Sequence, residues 1–342
     1  MTLITRAAAA AISLSLFTGL AGAAAKYQIA PAIDPSFFNP FYPVTVNAQS
    51  VTPGGTMLVE YHDEWVYGHL SCSNGDCDFI ALGLEWVAGL NDVRGVAGAI
   101  FNVDTSTVVA YANWPIGTYR GKCYDCGASD YSHARALNDQ GEATGAATYP
   151  DLGGLHAFKY SSKKGLVDLG TLGGSESYGV DINQRGSVIG RSDTPGNASI
   201  RSFIHRRGTM TDLGTLGGAN TYAAAINHKD QVVGCSEPAG GLPRVAFKWS
   251  DGIMVSLQAP GSGEGCAYDI NDAGEAVGQV NGQFVHFSKD NRTRPLASLL
   301  KSADLSRWVI YNVVGIDNGG RIYGNGRFEN LDQPYVMTPP AP

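Results

Sequence analysis

The chain has 342 residues with 24 Lys+Arg against 31 Asp+Glu, a formal net charge of −7, and 44 glycines. Charged residues are 16% of the total, below the usual share of about 25%, and glycine is nearly twice its usual roughly 7%. A mildly acidic, charge-poor chain lacks the clustered Lys/Arg that phosphate binding needs, which excludes nucleic acid as a partner. An apolar fraction of 44% supplies a core and excludes disorder.

Residues 1–25 read as a secretory signal peptide. Arg6 is the lone positive charge, residues 7–20 are apolar, and the small residues at 21–25 offer A-x-A-like cleavage before Lys26. The apolar run is shorter than the ~20 residues of a membrane span. The expected product is residues 26–342, a single domain without a transmembrane segment. It is exported, either secreted to the extracellular space or held in the periplasm.

The rest of the chain repeats itself. Segments around Asn91, Asn138, Asn183, Asn227, Asn271 and Asp317 echo one another at intervals of 44 to 47 residues, and a worn copy is assigned to Asn47. Seven positions after these anchors stand Gly54, Gly98, Gly145, Gly190, Gly234, Gly278 and Gly324. Five positions before most of them stands an aromatic or His: Tyr42, Trp86, His133, Tyr178 and Tyr222, with Cys266 and Asn312 as exceptions.

Each unit reads as β. Short β-branched runs such as Gln231-Val232-Val233 are bounded by glycine and show no helical spacing. Asn183 to Gly186 and Asn271 to Gly274 are turn signals between a first and a second strand. A third strand follows near Phe158, Phe203 and Phe247, and a fourth near Leu169, Leu213 and Leu257. Four short strands in about 45 residues is the length of a propeller blade. The reading is an all-β, seven-bladed β-propeller. The last unit runs out after its third strand at residues 334–337, and residues 27–33 are expected to supply the missing strand and close the ring.

Over residues 138–280 the chain resembles the HAF-family extracellular repeat proteins. His156-Ala157-Phe158 matches their naming triplet, residues 168–174 and 212–218 match DLGTLGG, and Ile182-Asn183 and Ile226-Asn227 match their IN element. The resemblance implies export and a repeat β-fold, and it implies no catalytic residues. The units at 47 and 91, with their Cys-rich neighbours, depart from the pattern.

Six cysteines in an exported chain favour disulfides. Cys72 and Cys77 bracket a turn sequence and suit a local bridge. Cys123 and Cys126 form a C-x-x-C without the βαβ context of a redox protein. Cys72, Cys77, Cys123 and Cys126 together also have the make-up of a zinc site. Cys235, placed after a second strand, and Cys266, in the next first strand, would staple neighbouring blades.

No catalytic signature occurs: no H-E-x-x-H, no G-x-S-x-G and no phosphate loop. Gly261 to Gly265 reads as a turn between units. The most individual stretch holds His62, Asp63, Glu64, Trp65 and His69, a mix that suits a metal or saccharide site, or else an edge strand of alternating exposure. Asp193 and Glu237 share one repeat position and are expected on the rim that carries the DLGTLGG turns, either as ligand-binding groups or as solubilising carboxylates. The functional expectation is a non-enzymatic binding or scaffold protein that contacts a glycan or an extracellular protein through one rim, without a cofactor. The alternative is a secreted polysaccharide hydrolase or lyase.

Overall fold

The computed structural model describes residues 27–32, 45–62, 67–73, 76–82, 85–91, 96–102, 107–113, 132–149 and 154–340. The segment read as a signal peptide lies outside them. The described strands form seven antiparallel sheets that follow one another along the chain. Sheet 1 is Thr45–Val51, Met57–His62, Tyr67–Ser73 and Asp76–Leu82. Sheet 2 has three described strands, Glu85–Leu90, Val96–Asn102 and Thr107–Asn113. Sheets 3 to 6 begin with Ser132–Leu137, Ser177–Ile182, Gly217–Ile226 and Gly265–Ile270, and each has four strands.

Sheet 7 is assembled from both ends of the chain. Trp308–Ile310 and Gly315–Ile316 pair with Ile322–Phe328, which pairs with Leu331–Thr338, and Gln28–Pro31 adds the outermost strand. Each sheet packs on the next, and the first strand of sheet 1 packs on the strands of sheet 7. Asn325 joins those two sheets, accepting from the Ala48 N–H at 2.7 Å and donating to the Ala48 carbonyl at 3.0 Å. The β pattern is interrupted between sheets 6 and 7 by two single-turn helices, Leu296–Leu299 and Ser302–Leu305. They begin directly after the shortened fourth strand Thr293–Pro295, where Pro295 cannot donate to a sheet ladder.

The repeated Asn follows the first strand of sheets 3 to 6 and builds the turn after it. Asn183 donates its backbone N–H to the Ser187 carbonyl at 3.1 Å and accepts from Gly186 N–H at 2.9 Å. Its Oδ1 also accepts the N–H groups of Arg185 and Ser187, both at 3.0 Å. The side-chain amide then reaches across the sheet boundary. Asn91 donates to the Asn138 carbonyl, Asn138 to Asn183, Asn183 to Asn227, Asn227 to Asn271 and Asn271 to Asp317, all at 2.9–3.1 Å.

The first unit is registered differently from the sequence reading. Thr52, not Asn47, makes the anchor turn: its N–H donates to Thr56, its carbonyl accepts from Gly55, and its Oγ1 accepts from Thr56 N–H at 3.0 Å. The bulges agree with this. The first strands skip one residue at positions 88, 135, 180, 224 and 268, three before each anchor, and sheet 1 skips 49, three before Thr52. Asn47 lies within the strand, and Gly54 is a turn residue rather than a counterpart of the other glycines. The register slipped because Thr replaces Asn as the turn-capping side chain, and either can serve.

The glycines seven places after the anchors face that bulge. A Cβ on Gly190, Gly234 or Gly278 would lie 2.0–2.1 Å from the carbonyl oxygen of Tyr178, Tyr222 or Cys266. The third-strand partners of Gly190 and Gly234 are Phe203 and Phe247, whose rings fill the space the missing side chains leave. Both rings are fully buried, as are Ile189, Ile204, Val232 and Val233 around them.

Cys235 and Cys266 form a disulfide that joins sheets 5 and 6. Cys235 lies inside the second strand Val232–Pro238 rather than after it, directly opposite Tyr222. Cys72 is also disulfide-bonded, and the register places it opposite Cys77. Cys123 and Cys126 lie outside the described residues.

Candidate functional site

Second-to-third-strand loops and the links from one sheet to the next emerge on the same side of these sheets. Asp193 ends the second strand of sheet 4 and Glu237 lies near the end of the second strand of sheet 5, ten residues after their anchors. With Thr52 as the first anchor, His62 takes the same position in sheet 1. Asp63, Glu64 and Trp65 lie outside the described residues, as do the side chains of His62 and His69. The backbone corrects one expectation: strands 57–62 and 67–73 are the two middle strands of sheet 1, so this stretch is a hairpin and not an edge strand. In that hairpin Glu60 is registered with His69, and His62 with Tyr67.

The DLGTLGG segments are sheet-to-sheet links with a fixed internal wiring. Asp168 and Asp212 accept the N–H of Gly170 and Gly214 through Oδ1 at 2.7 and 2.8 Å. Leu172 and Leu216 N–H donate to the hydroxyls of Ser192 and Ser236 at 2.8 and 2.9 Å. A Cβ on Gly174 or Gly218 would strike Asp193 or Glu237, so each link lies directly against the carboxylate-bearing loop. Asp168 also pairs with His156 Nδ1 at 3.0 Å, and the corresponding Arg201–Asp212 pair is at 4.0 Å. The first residue of the His-Ala-Phe triplet thus holds the first residue of the following DLGTLGG segment.

Glu237 is tethered by Asn220. The Asn220 side-chain amide donates to both carboxylate oxygens at 3.0 and 3.1 Å, and its backbone N–H donates to Oε2 at 3.1 Å. These bonds, the side-chain bond first, hold the Glu237 carboxyl below the usual carboxylate range. It is ionised at neutral pH and is an acceptor, not a proton donor. Asn220 Oδ1 in turn accepts the Ile200 N–H at 2.8 Å, linking the loop to sheet 4.

Beside Glu237 opens a cleft of about 530 Å³ between sheets 5 and 6, with walls that include Gly218, Gly240, Gly241, Leu242, Arg244 and Glu264. Arg244 donates to Glu264 at 3.1 Å and lies 5.3 Å over the Tyr222 ring. Leu242 is 62% exposed at the mouth. Asp193 does not line this cleft.

Two carboxylates absent from the sequence reading are partly buried where first strands of neighbouring sheets meet. Asp181 accepts from Ile182 N–H at 2.8 Å and from Ile226 N–H of sheet 5 at 2.9 Å. Asp269 accepts from Ile270 N–H at 2.8 Å and from Ile316 N–H of sheet 7 at 2.7 Å. Burial pushes the Asp269 carboxyl up to about 7, with the nearby Asp181 and Asp317 charges adding to the shift. Asp181 is raised as well, again by burial. Both stand two residues before an anchor where sister units have Ala136, Ala225 or Gly315. That exchange of Ala or Gly for Asp is the signal that could have found them.

Among the described residues no group of three or more His, Cys, Asp or Glu is placed to hold a metal ion, and no helix is long and apolar enough to cross a membrane.

No family model matches the chain, and no curated protein is similar to it at a significant level. Solved structures do match. The acylaminoacyl peptidase of Pyrococcus horikoshii superposes with a TM-score of 0.52 at 13% identity, over 85% of this chain and 51% of that one. TolB from Acinetobacter baumannii matches with a TM-score of 0.46 at 13% identity, over 73% of this chain and 62% of its own. The Dos1 propeller matches with a TM-score of 0.40 at 7% identity, over 92% of this chain and 81% of its own. The chain thus spans about half the length of the peptidase and under two thirds of TolB. The fold is all-β, a series of small antiparallel sheets that follow one another in the chain and pack each on the next, which is a propeller-like arrangement.

Proposed function

We propose that this is an exported binding protein built as a seven-bladed ring, closed by the N-terminal strand, which contacts its ligand through the rim formed by the second-to-third-strand loops. The observation that carries the reading is the cleft beside Glu237. There, on the described part of that rim, an ionised carboxylate, an arginine and an exposed leucine converge on open space. The Glu237 carboxyl is held below its usual range and tethered by Asn220, so the cleft offers recognition groups rather than an acid/base pair. Export is supported by the Cys235–Cys266 bridge, since disulfides persist in oxidising compartments. The likeness to HAF repeats is supported by the His156–Asp168 pair, which gives the triplet and the DLGTLGG segment a shared structural task.

The test is a glycan array probed with the purified protein, with product analysis by mass spectrometry and capture of extracellular protein partners in parallel. Saturable binding to an intact ligand, weakened by rim substitutions, supports the reading. Cleaved glycan, lost on replacing rim carboxylates, replaces it with a polysaccharide hydrolase or lyase.

A further inference from the structure

We infer that the cleft between sheets 5 and 6 is a subsite for a basic peptide segment, one carrying Lys or Arg beside an aliphatic residue; this rests on the rim-binding reading above. Three charged side chains line the cleft: Glu237, Arg244 and Glu264. Arg244 is engaged with Glu264 at 3.1 Å, while the Glu237 contacts are to the neutral amide of Asn220. The walls therefore carry a net single negative charge, and Glu237 is the carboxylate without a hydrogen-bonded cation among its partners. Asn220 takes three of the roughly four acceptor sites of the Glu237 carboxylate, and the Ala219 N–H and the Arg244 charge act on it as well, so an incoming ammonium or guanidinium meets Glu237 as a charge rather than through a vacant hydrogen-bond site. An anion would meet two carboxylates.

The apolar part of the cleft fits the rest of such a segment. Leu242 projects into solvent at 62% exposure between Gly241 and Pro243, and Pro238 adds a second apolar wall. A saccharide fits less well. No aromatic side chain lines the cleft, and the nearby Tyr222 ring is covered by the Arg244 guanidinium. The Cys235–Cys266 bridge ties together the two strands beside which Glu237 and Glu264 stand, and a pre-formed site of this kind loses less order on binding.

The experiment is fluorescence anisotropy of the purified protein with three labelled probes: the peptide Gly-Leu-Lys-Leu-Arg-Leu-Gly, its counterpart with Glu in place of both basic residues, and maltohexaose. The basic peptide should bind saturably and weaken as salt is raised. Glu237→Gln and Leu242→Ala should each weaken it by about fivefold or more. Leu242→Ala changes an exposed side chain, so it stays informative if Glu237→Gln disturbs the loop; melting curves identify that case. No binding of the basic peptide, equal binding of the acidic peptide or the sugar, or basic-peptide binding that Leu242→Ala leaves unchanged in a folded protein overturns the assignment. A glycan-array hit alongside failure here would leave the rim reading standing and remove this cleft from it.

Discussion

Asn183 donates its side-chain amide to the carbonyl oxygen of Asn227, 2.9 Å away in space and 44 residues on in the chain. The same bond recurs from Asn91 to Asp317, so the residue that closes each turn also holds the next sheet in place. Local and long-range order therefore depend on one side chain per repeat. Asn183→Ala removes two turn bonds through Oδ1, the link to Asn227 and a bond to Asp230. A buried backbone group left unpaired costs about 1–3 kcal/mol, so this variant should lose at least about 3 kcal/mol in chemical denaturation. A loss below 1 kcal/mol would show that water replaces the relay.

The glycines opposite the bulge should separate from glycines that merely relax a turn. Gly234→Ala places a Cβ 2.0 Å from the Tyr222 carbonyl oxygen, and the strand cannot move without disturbing the buried Phe247. Overpacking of this kind costs about 3 kcal/mol or more. Gly252→Ala, at φ +88° with nothing within 4 Å, should cost only about 1–2 kcal/mol from the left-handed backbone. Urea midpoints of the two variants check the ranking, and equal losses would refute the clash.

The disulfide closes a loop with a sequence separation of 31. The chain-entropy relation gives about 3–4 kcal/mol for a loop of that length. Paired Cys235→Ala and Cys266→Ala should lower stability by up to that amount. Non-reducing mass mapping of the parent protein should recover the Cys235–Cys266 peptide pair.

Asp269 gives stability a definite pH dependence. Its carboxyl is raised in the folded state to about 7 from an ordinary value of 3.8. The folded protein therefore binds more protons than the unfolded chain between those limits. The resulting stabilisation is full below about pH 4 and is lost as pH rises through about 7, with a slope of up to about 1.4 kcal/mol per pH unit. Asp181, raised in the same direction, adds to it with the same sign. Asp269→Asn should flatten the fall in melting temperature between pH 5 and 8, even if the variant is less stable throughout because the bond from Ile316 N–H is altered. An unchanged slope would place the titration elsewhere.

The individuality of the cleft was only partly legible. Glu237 was found because it recurs ten places after an anchor, yet the same rule selected Asp193, which lies outside the cleft. Arg244, Leu242 and Glu264 carry no repeat signal; Leu242 and Arg244 follow Glu237 in the same loop of sheet 5, and Glu264 joins them because sheets 5 and 6 are adjacent. Asp181 and Asp269 look like ordinary strand residues until the neighbouring sheets bring Ile226 and Ile316 N–H to them.

What the sequence determined by itself was periodic: the β class, the units of about 45 residues, the Asn-built turns and the glycine opposite each bulge. These follow from contacts within a few residues or within one hairpin, where backbone sterics and turn chemistry act directly on local residue choice. The tertiary structure decided what depends on meeting a distant neighbour: the bonds from Ile226 and Ile316 N–H to Asp181 and Asp269, the Asn325–Ala48 link between sheets 7 and 1, and the approach of Glu264 to Glu237. Such relationships form between residues separated by tens to hundreds of positions, and a linear pattern holds no record of which surfaces will face each other once the sheets pack.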